Sequence, residues 1–287
     1  MDQNYFPDSA GRIHRETDSD RITQAFGVDY ADNRGGVRLA TVAWMLFLAT
    51  MTLTFAVLLD NVTRSTGMVA SDLHTVRALA AVREPLSTAG MRLISGAGSP
   101  AAMVALAAVV CGWLAWQRGT AEPLIVGAVG VGGIAALDTA TKDMVARARP
   151  PVALHAAAAH GYSFPSGHAS FSATVIPLCA VLIVRWVAQR TWQRVTLWVC
   201  AVLAIAAVGF SRVFLGVHYP SDVLAGWSLA GAWDVVVMFP MRLLRPPPSA
   251  PYRSAAASGS GSAATPSPAT GPRSAPDADR WGRAPGE

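Results

Sequence analysis

The chain has 287 residues, with 23 Lys or Arg against 18 Asp or Glu for a formal charge of +5, and only 14% of it is charged while 52% is hydrophobic. Soluble domains usually carry about a quarter charged residues, so this composition, with a mean hydropathy of +0.35, argues against a soluble enzyme. The cations are arginines scattered between apolar blocks and do not gather on one stripe, which argues against a nucleic-acid partner and leaves a membrane-embedded chain as the expectation.

Residues 1–37 mix arginines with acids and lack a secretory n-region, so they read as a cytoplasmic tail leading into a signal-anchor helix. Leu39 to Leu59 gives 21 residues without a charge and Leu93 to Gln117 gives 25, against the roughly 20 needed to cross the hydrocarbon. Between them, residues 65–92 could hold a short amphipathic helix on the outer surface, although Pro85 and several glycines speak against it. Four shorter apolar blocks follow: Pro123 to Leu137, Ala169 to Val184, Val195 to Ser211, and Val223 to Phe239, which Asp234 interrupts. Arriving in series with brief arginine-bearing connections, they predict an all-α, six-helix polytopic bundle over 38–245. The later helices are trimmed because polar residues enter at one end, which hints at a site near one membrane face.

Arginines near span ends set orientation. With the N-terminus inside, the cytoplasmic side receives Arg34, Arg38, Arg118, Arg185, Arg190, Arg194, Arg242 and Arg245, a modest bias. The loops after the third and fifth spans then face the extracytoplasmic side of the cell membrane. Residues 246–287 are Pro, Ser, Ala, Gly and Thr with little that could form a core, and are expected to be disordered. Cys111, Cys179 and Cys200 all fall in apolar spans without metal-ligand spacing and read as small buried hydrophobes. With no P-loop, GxGxxG, HExxH or CxxC pattern, no cofactor and no metal is expected.

Three polar segments interrupt the bundle. Lys142 to Pro150 closes the third span, Tyr162 to His168 opens the fourth, and Ser211 to Asp222 joins the fifth to the sixth. Ionisable residues at membrane depth are costly and tend to mark function. Lys142, Arg149 and Arg212 supply a point charge and two planar forks suited to phosphate oxygens. Pro165, Ser166, Gly167 and His168 read as a helix start whose free N–H groups and positive dipole end face the same anion. His218 and Asp222 are four apart, so the carboxylate can return to the imidazole and leave its other nitrogen free to attack. With a second imidazole from His168, this makes a phosphoryl-transfer site in which fixed cations replace magnesium.

The pattern KxxxxxxRP, PSGH and SRxxxxxHxxxD resembles the three-part signature of the type 2 phosphatidic acid phosphatase superfamily, with each fixed position filled between residues 142 and 222. The resemblance implies that His218 is the nucleophile forming a phosphohistidine, that Asp222 orients it, and that His168 protonates the leaving group and then activates water. It likewise implies that Lys142, Arg149, Ser166, Gly167 and Arg212 bind the phosphoryl oxygens. The membrane branch, whose substrates are lipid phosphates or diphosphates, is the nearer relative. The same residues serve a phosphotransferase passing the group to an acceptor hydroxyl. A catalytically silent scaffold or transporter is the third reading, and it predicts motif erosion that is not seen. Oligomeric state has no signal in the sequence.

Other polar residues carry plainer expectations. His14, His74, His155 and His160 read as structural, and Ser166 is no esterase nucleophile because GxSxG is absent. Arg147 occupies a free position of the first motif and is expected to be solvated or to face headgroups. Asp138, four residues before Lys142, is expected to support it on one helix face. For Asp234, a bundle ion partner or proton path competes evenly with an interhelical hydrogen bond or snorkelling to the cytoplasmic side. Trp113, Trp116, Trp186 and Trp192 read as interfacial anchors.

Lys142 is the single lysine among the 23 cations. A compact ammonium is not interchangeable with a guanidinium fork, so Lys142→Arg is expected to impair turnover despite preserving charge. Wild-type turnover in a phosphate-release assay of that variant would count against Lys142 as a phosphate ligand.

Overall fold

A computed structural model describes residues 5–7, 13–15 and 33–243 except 68 and 189. The expectations for the rest of 1–37 and for 246–287 lie outside the described residues. Near the N-terminus, β1 (Tyr5–Pro7) pairs antiparallel with β2 (Ile13–Arg15) in the register Tyr5↔Arg15, a hairpin the sequence reading did not anticipate. Helices make up the remainder: α1 (Asn33–Arg64), α2 (Val69–Ala81), α3 (Pro85–Ala97), α4 (Pro100–Arg118), α5 (Glu122–Val145), α6 (Gly167–Trp186), α7 (Thr191–Phe214) and α8 (Pro220–Leu243). A 3-10 turn at Val152–Leu154 lies in the connection before α6.

Six of these, α1 and α4 to α8, are long and apolar enough to cross a membrane. The protein is a multi-pass membrane helix bundle. The second span, however, starts at Pro100 and not at Leu93. Hydropathy runs unbroken from 93 to 117, but Ser99 caps α4 by accepting from the Ala102 N–H at 3.2 Å, and Pro100 takes the first helical position. Gly98 sits against Val208, whose methyls lie 2.4 Å from where a Cβ would stand, so the chain turns there. The 65–92 connection likewise holds more than the one short helix anticipated. It forms α2 and most of α3, and Pro85 initiates α3 beside a Glu84–Ser87 capping box.

α6 is the axis of the bundle, packing on α4, α5, α7 and α8, while α1 lies along α8. Met103, Ile134, Val175 and Leu229 form one core cluster, and Cys111, Leu114, Leu178, Leu182, Trp186 and Met241 another. Outward-facing Leu46, Leu53, Val109, Ile125 and Leu203 present the apolar surface that lipid covers. Lipid offers no hydrophobic reward for helix contact, so small residues at crossings matter more than in water. Gly130 lets Leu178 approach and accepts from the Trp233 indole N–H at 3.0 Å. At Gly133 a Cβ would stand 2.0 Å from the Trp233 ring.

Two further expectations are corrected. Trp186 is buried, with the guanidinium groups of Arg118 and Arg185 5.1 and 5.3 Å from its ring, because α6 is central and its end is covered. Trp113, Trp116 and Trp192 are exposed. Cys111 and Cys179 are buried but Cys200 is exposed, on the outer side of α7. Gly133→Ala is expected to cost about 1–3 kcal/mol by overpacking Trp233, measured as a lower thermal midpoint in detergent. An unchanged midpoint would show that the α5–α8 crossing is looser than described.

Candidate active site

Alternating helix direction puts the C-terminal ends of α5 and α7 beside the N-terminal starts of α6 and α8, which gathers the three polar segments at one end of the bundle. The Ser166 N–H donates to the Asp222 carbonyl at 3.0 Å and ties the start of α6 to that of α8. The Ser163 N–H donates to the Arg147 carbonyl at 2.9 Å, closing the loop that leads into α6. α5 stops at Ala146, which takes a left-handed φ of 48°. All eight expected site residues lie in this region.

His218 is buried just before α8. Its Nε2 lies 2.9 Å from Arg149 Nη1 and its Nδ1 lies 3.4 Å from Asp222 Oδ2. A guanidinium can only donate, so Nε2 accepts and carries the lone pair while Nδ1 carries the proton towards the carboxylate. Asp222 Oδ2 also accepts from the Tyr219 N–H at 2.9 Å, which fixes the carboxylate at the helix start. Burial pushes the His218 imidazole down to about 4, with Asp222 partly opposing the shift.

Arg149 spends every donor. Nε reaches the Gly161 carbonyl at 3.0 Å, Nη2 the His160 and Tyr162 carbonyls at 2.8 and 3.0 Å, and Nη1 the Val217 carbonyl at 2.8 Å besides His218. Lys142 donates to Asp138, the pairing expected from their spacing, and to the Pro165 carbonyl at 2.7 Å. Asp138 in turn accepts from Ser170 Oγ at 3.1 Å. Beside this pair, a Cβ on Gly167 would stand 3.3 Å from Asp138 Oδ2 and 3.6 Å from Lys142 Nζ. Arg212 is buried on the last turn of α7, donates to Ser95 of α3, and among the described residues its Nε has no hydrogen-bond partner. The same holds for the buried Ser166 Oγ at the cap of α6. His168, half-buried on the first turn of α6, lies within electrostatic reach of Arg212, His218, Arg149 and Lys142. Three cations and two imidazoles thus converge at this end of the bundle, with a hydroxyl and a guanidinium N–H still available to an oxyanion.

Several residues were missed by sequence reasoning. Arg147 is not solvated: its side chain is 11% exposed, donates to Asp222 and to Ser221 Oγ, and meets Asp72 Oδ2 at 2.8 Å. Asp72, on α2, is buried and accepts from the Ser221 N–H at 3.2 Å. Arg83 donates to the Phe214 and Leu154 carbonyls at 2.6 and 2.7 Å, and Arg92 to the Ala156 carbonyl at 2.7 Å, so the α2–α3 segment is clamped onto the site loops. The short α2 motif-free sequence carries no signal for these pairings beyond an acid in an apolar stretch. His155 meets the Pro150 carbonyl at 2.9 Å, a loop contact that involves none of the eight expected site residues. Asp234 is buried beside Thr174, well along α8 from the polar end. Among the described residues no three His, Cys, Asp or Glu side chains form a metal-holding group.

The family model described as PAP2 superfamily matches residues 101–243. Phosphatidylglycerophosphatase B of Bacillus subtilis is 28% identical over 177 residues, covering 61% of this chain and 85% of that protein. An undecaprenyl-diphosphatase of Sulfolobus acidocaldarius is 36% identical over 72 residues, 25% of this chain and 30% of its own. The crystal structure of a transmembrane PAP2 type phosphatidylglycerolphosphate phosphatase from Bacillus subtilis superposes with a TM-score of 0.65 at 26% identity, covering 69% of this chain and 97% of that one.

A buried imidazole lowered from 6.5 to about 4 binds fewer protons folded than unfolded, so its contribution to stability is present above 6.5 and is lost as pH falls through about 4. Histidine-selective NMR in detergent at pH 6 should therefore show His218 neutral with the proton on Nδ1. A doubly protonated ring at that pH would contradict the geometry.

Proposed function

The chain belongs to the PAP2 superfamily and is a membrane lipid phosphatase, and we propose that it removes phosphate from an isoprenoid or glycerolipid phosphate or diphosphate through a phosphohistidine on His218, without a metal. The observation that carries this reading is the placement of His218 between Asp222 on Nδ1 and Arg149 on Nε2.

In the first step the Nε2 lone pair attacks phosphorus, forming P–N and breaking the P–O bond to the leaving group. His168, protonated, gives its proton to the departing oxygen, which is an alcohol in a monoester or a lipid phosphate in a diphosphate. The imidazole becomes cationic as the bond forms, and Asp222 offsets that charge. The phosphoryl oxygens take over the Arg149 Nη1 proton and the free donors of Arg212 and Ser166, while Lys142 supplies a point charge and Gly167 leaves room at the helix start. In the second step neutral His168 takes a proton from water, O–P forms, P–N breaks, and phosphate leaves with His218 restored. The three fixed cations give the charge stabilisation that magnesium gives in nucleotide enzymes.

The relatives named above are phosphatases of phosphatidylglycerophosphate and undecaprenyl diphosphate, which supports the lipid class for this chain and leaves both headgroups as candidates. We place the site at the extracytoplasmic face of the cell membrane, because Arg118, Arg185, Arg190 and Arg194 lie at the opposite span ends.

Phosphate release should be measured in EDTA over phosphatidylglycerophosphate, a polyprenyl diphosphate and phosphatidate. Release from at least one is expected, together with an acid-labile, alkali-stable phosphoprotein, and His218→Ala should lower it by about a thousandfold or more. Equal activity of His218→Ala and wild type would overturn the mechanism.

A further inference from the structure

Asp222 has a second ionic neighbour besides the imidazole. Its Oδ1 accepts from Arg147 Nη1, while Oδ2 faces His218 and the Tyr219 N–H. The other Arg147 terminal nitrogen meets Asp72 Oδ2 at 2.8 Å, and the guanidinium stacks over the Tyr219 ring at 4.2 Å from its centroid. The order is carboxylate, guanidinium, carboxylate, imidazole. Asp72 and Asp222 are 1% and 0% exposed, so neither carboxylate is relieved by solvent.

From this arrangement we infer that Asp72 and Arg147 are positioning residues for the reaction, in which Asp72 offsets the Arg147 guanidinium so that Asp222 keeps its negative charge for His218. The inference rests on reading His218 as the nucleophile. With Arg147 alone beside it, Asp222 would form a neutral pair and offer little to a ring turning cationic. With Asp72 added, the trio carries one net negative charge, equal and opposite to the charge the imidazole gains on attack. Arg147 also pins the carboxylate in place, since both of its terminal nitrogens are bonded and its guanidinium plane is stacked on Tyr219. Asp72 lies on α2, outside the 101–243 segment that the family model matches. The connection between the first two spans thus completes the electrostatics of a site whose reacting groups come from the last four.

A purely structural role for Asp72 is the competing explanation, because its carboxylate also accepts from the Ser221 N–H and Oγ at the start of α8. Asp72→Asn separates the two, keeping an acceptor oxygen for the Ser221 N–H while removing the charge and the second carboxylate oxygen, which accepts from Arg147. Full-length Asp72→Asn, Arg147→Met, Arg147→Lys and the Asp72→Asn/Arg147→Met double variant should be assayed in detergent with a short-chain lipid phosphate, beside thermal midpoints. Neither residue touches substrate, so Asp72→Asn is expected to lower kcat about tenfold at unchanged KM. In the Arg147→Met background, Asp72→Asn should cause no further loss, and Arg147→Lys should recover part of the activity lost in Arg147→Met. Wild-type kcat in Asp72→Asn, with or without a lower midpoint, would overturn the inference, as would a defect confined to KM or losses that multiply in the double variant. Should Arg147→Met fail to fold, the kcat and KM of Asp72→Asn alone decide the matter. If His218→Ala proves fully active, the nucleophile reading has failed instead, whatever Asp72→Asn does.

Discussion

Charge held out of water at the end of an apolar bundle is the constraint on which the rest of this structure depends. Lys142, Arg147, Arg149, Arg212, His168 and His218 converge there, and like charges at that distance repel strongly once water is thinned. The four fixed cations are held by opposite charge, by carbonyl dipoles or by a hydroxyl: Lys142 by Asp138, Arg147 by Asp72 and Asp222, Arg149 by four carbonyls, and Arg212 by Ser95. These partners come from α2, α3, α5, α8 and two loops. The fold can be read as the device that brings enough partners to one place.

That requirement explains the role of α6. A helix whose start carries Ser166, Gly167 and His168 must be fixed along its length, and α6 achieves this by packing against four neighbours at once. Close crossings on glycines at 130, 133, 209 and 226 bring α5, α7 and α8 inward, with Gly226 approaching the Ser166 carbonyl. Lateral packing deep in the bundle thereby sets the position of polar groups at its end.

Much of this was legible in the sequence because short-range periodicity carries it. Asp138 and Lys142, and His218 and Asp222, are one helical turn apart, so spacing alone predicts that they meet. Hydropathy located six spans, but it overran the break at Gly98, where the local signals of Ser99 and Pro100 outweigh an unbroken apolar run. Trp186 misled because a tryptophan near a span end looks the same in sequence whether lipid or a neighbouring helix covers it. The Asp72–Arg147 pairing joins residues 75 apart through a turn of the chain that no periodicity encodes. Which side chains share a buried charge is a property of tertiary packing, and only the structure reveals it.

Arg149 also acts as a fastener. Its guanidinium joins the carbonyls of residues 160, 161 and 162 to that of Val217, so the loop before α6 and the loop before α8 are sewn together by one side chain. Ordering a loop residue costs about 1–2 kcal/mol of backbone entropy, and the stretch 156–162, in which no residue is fully buried, has little apolar burial of its own with which to offset that cost. Replacing Arg149 therefore does two things at once, withdrawing a proposed phosphate ligand and unstitching the two loops that flank His218. Any activity deficit measured at this position is a sum of chemistry and loop order, and lengthening the 156–162 loop should weaken catalysis even with every motif residue in place.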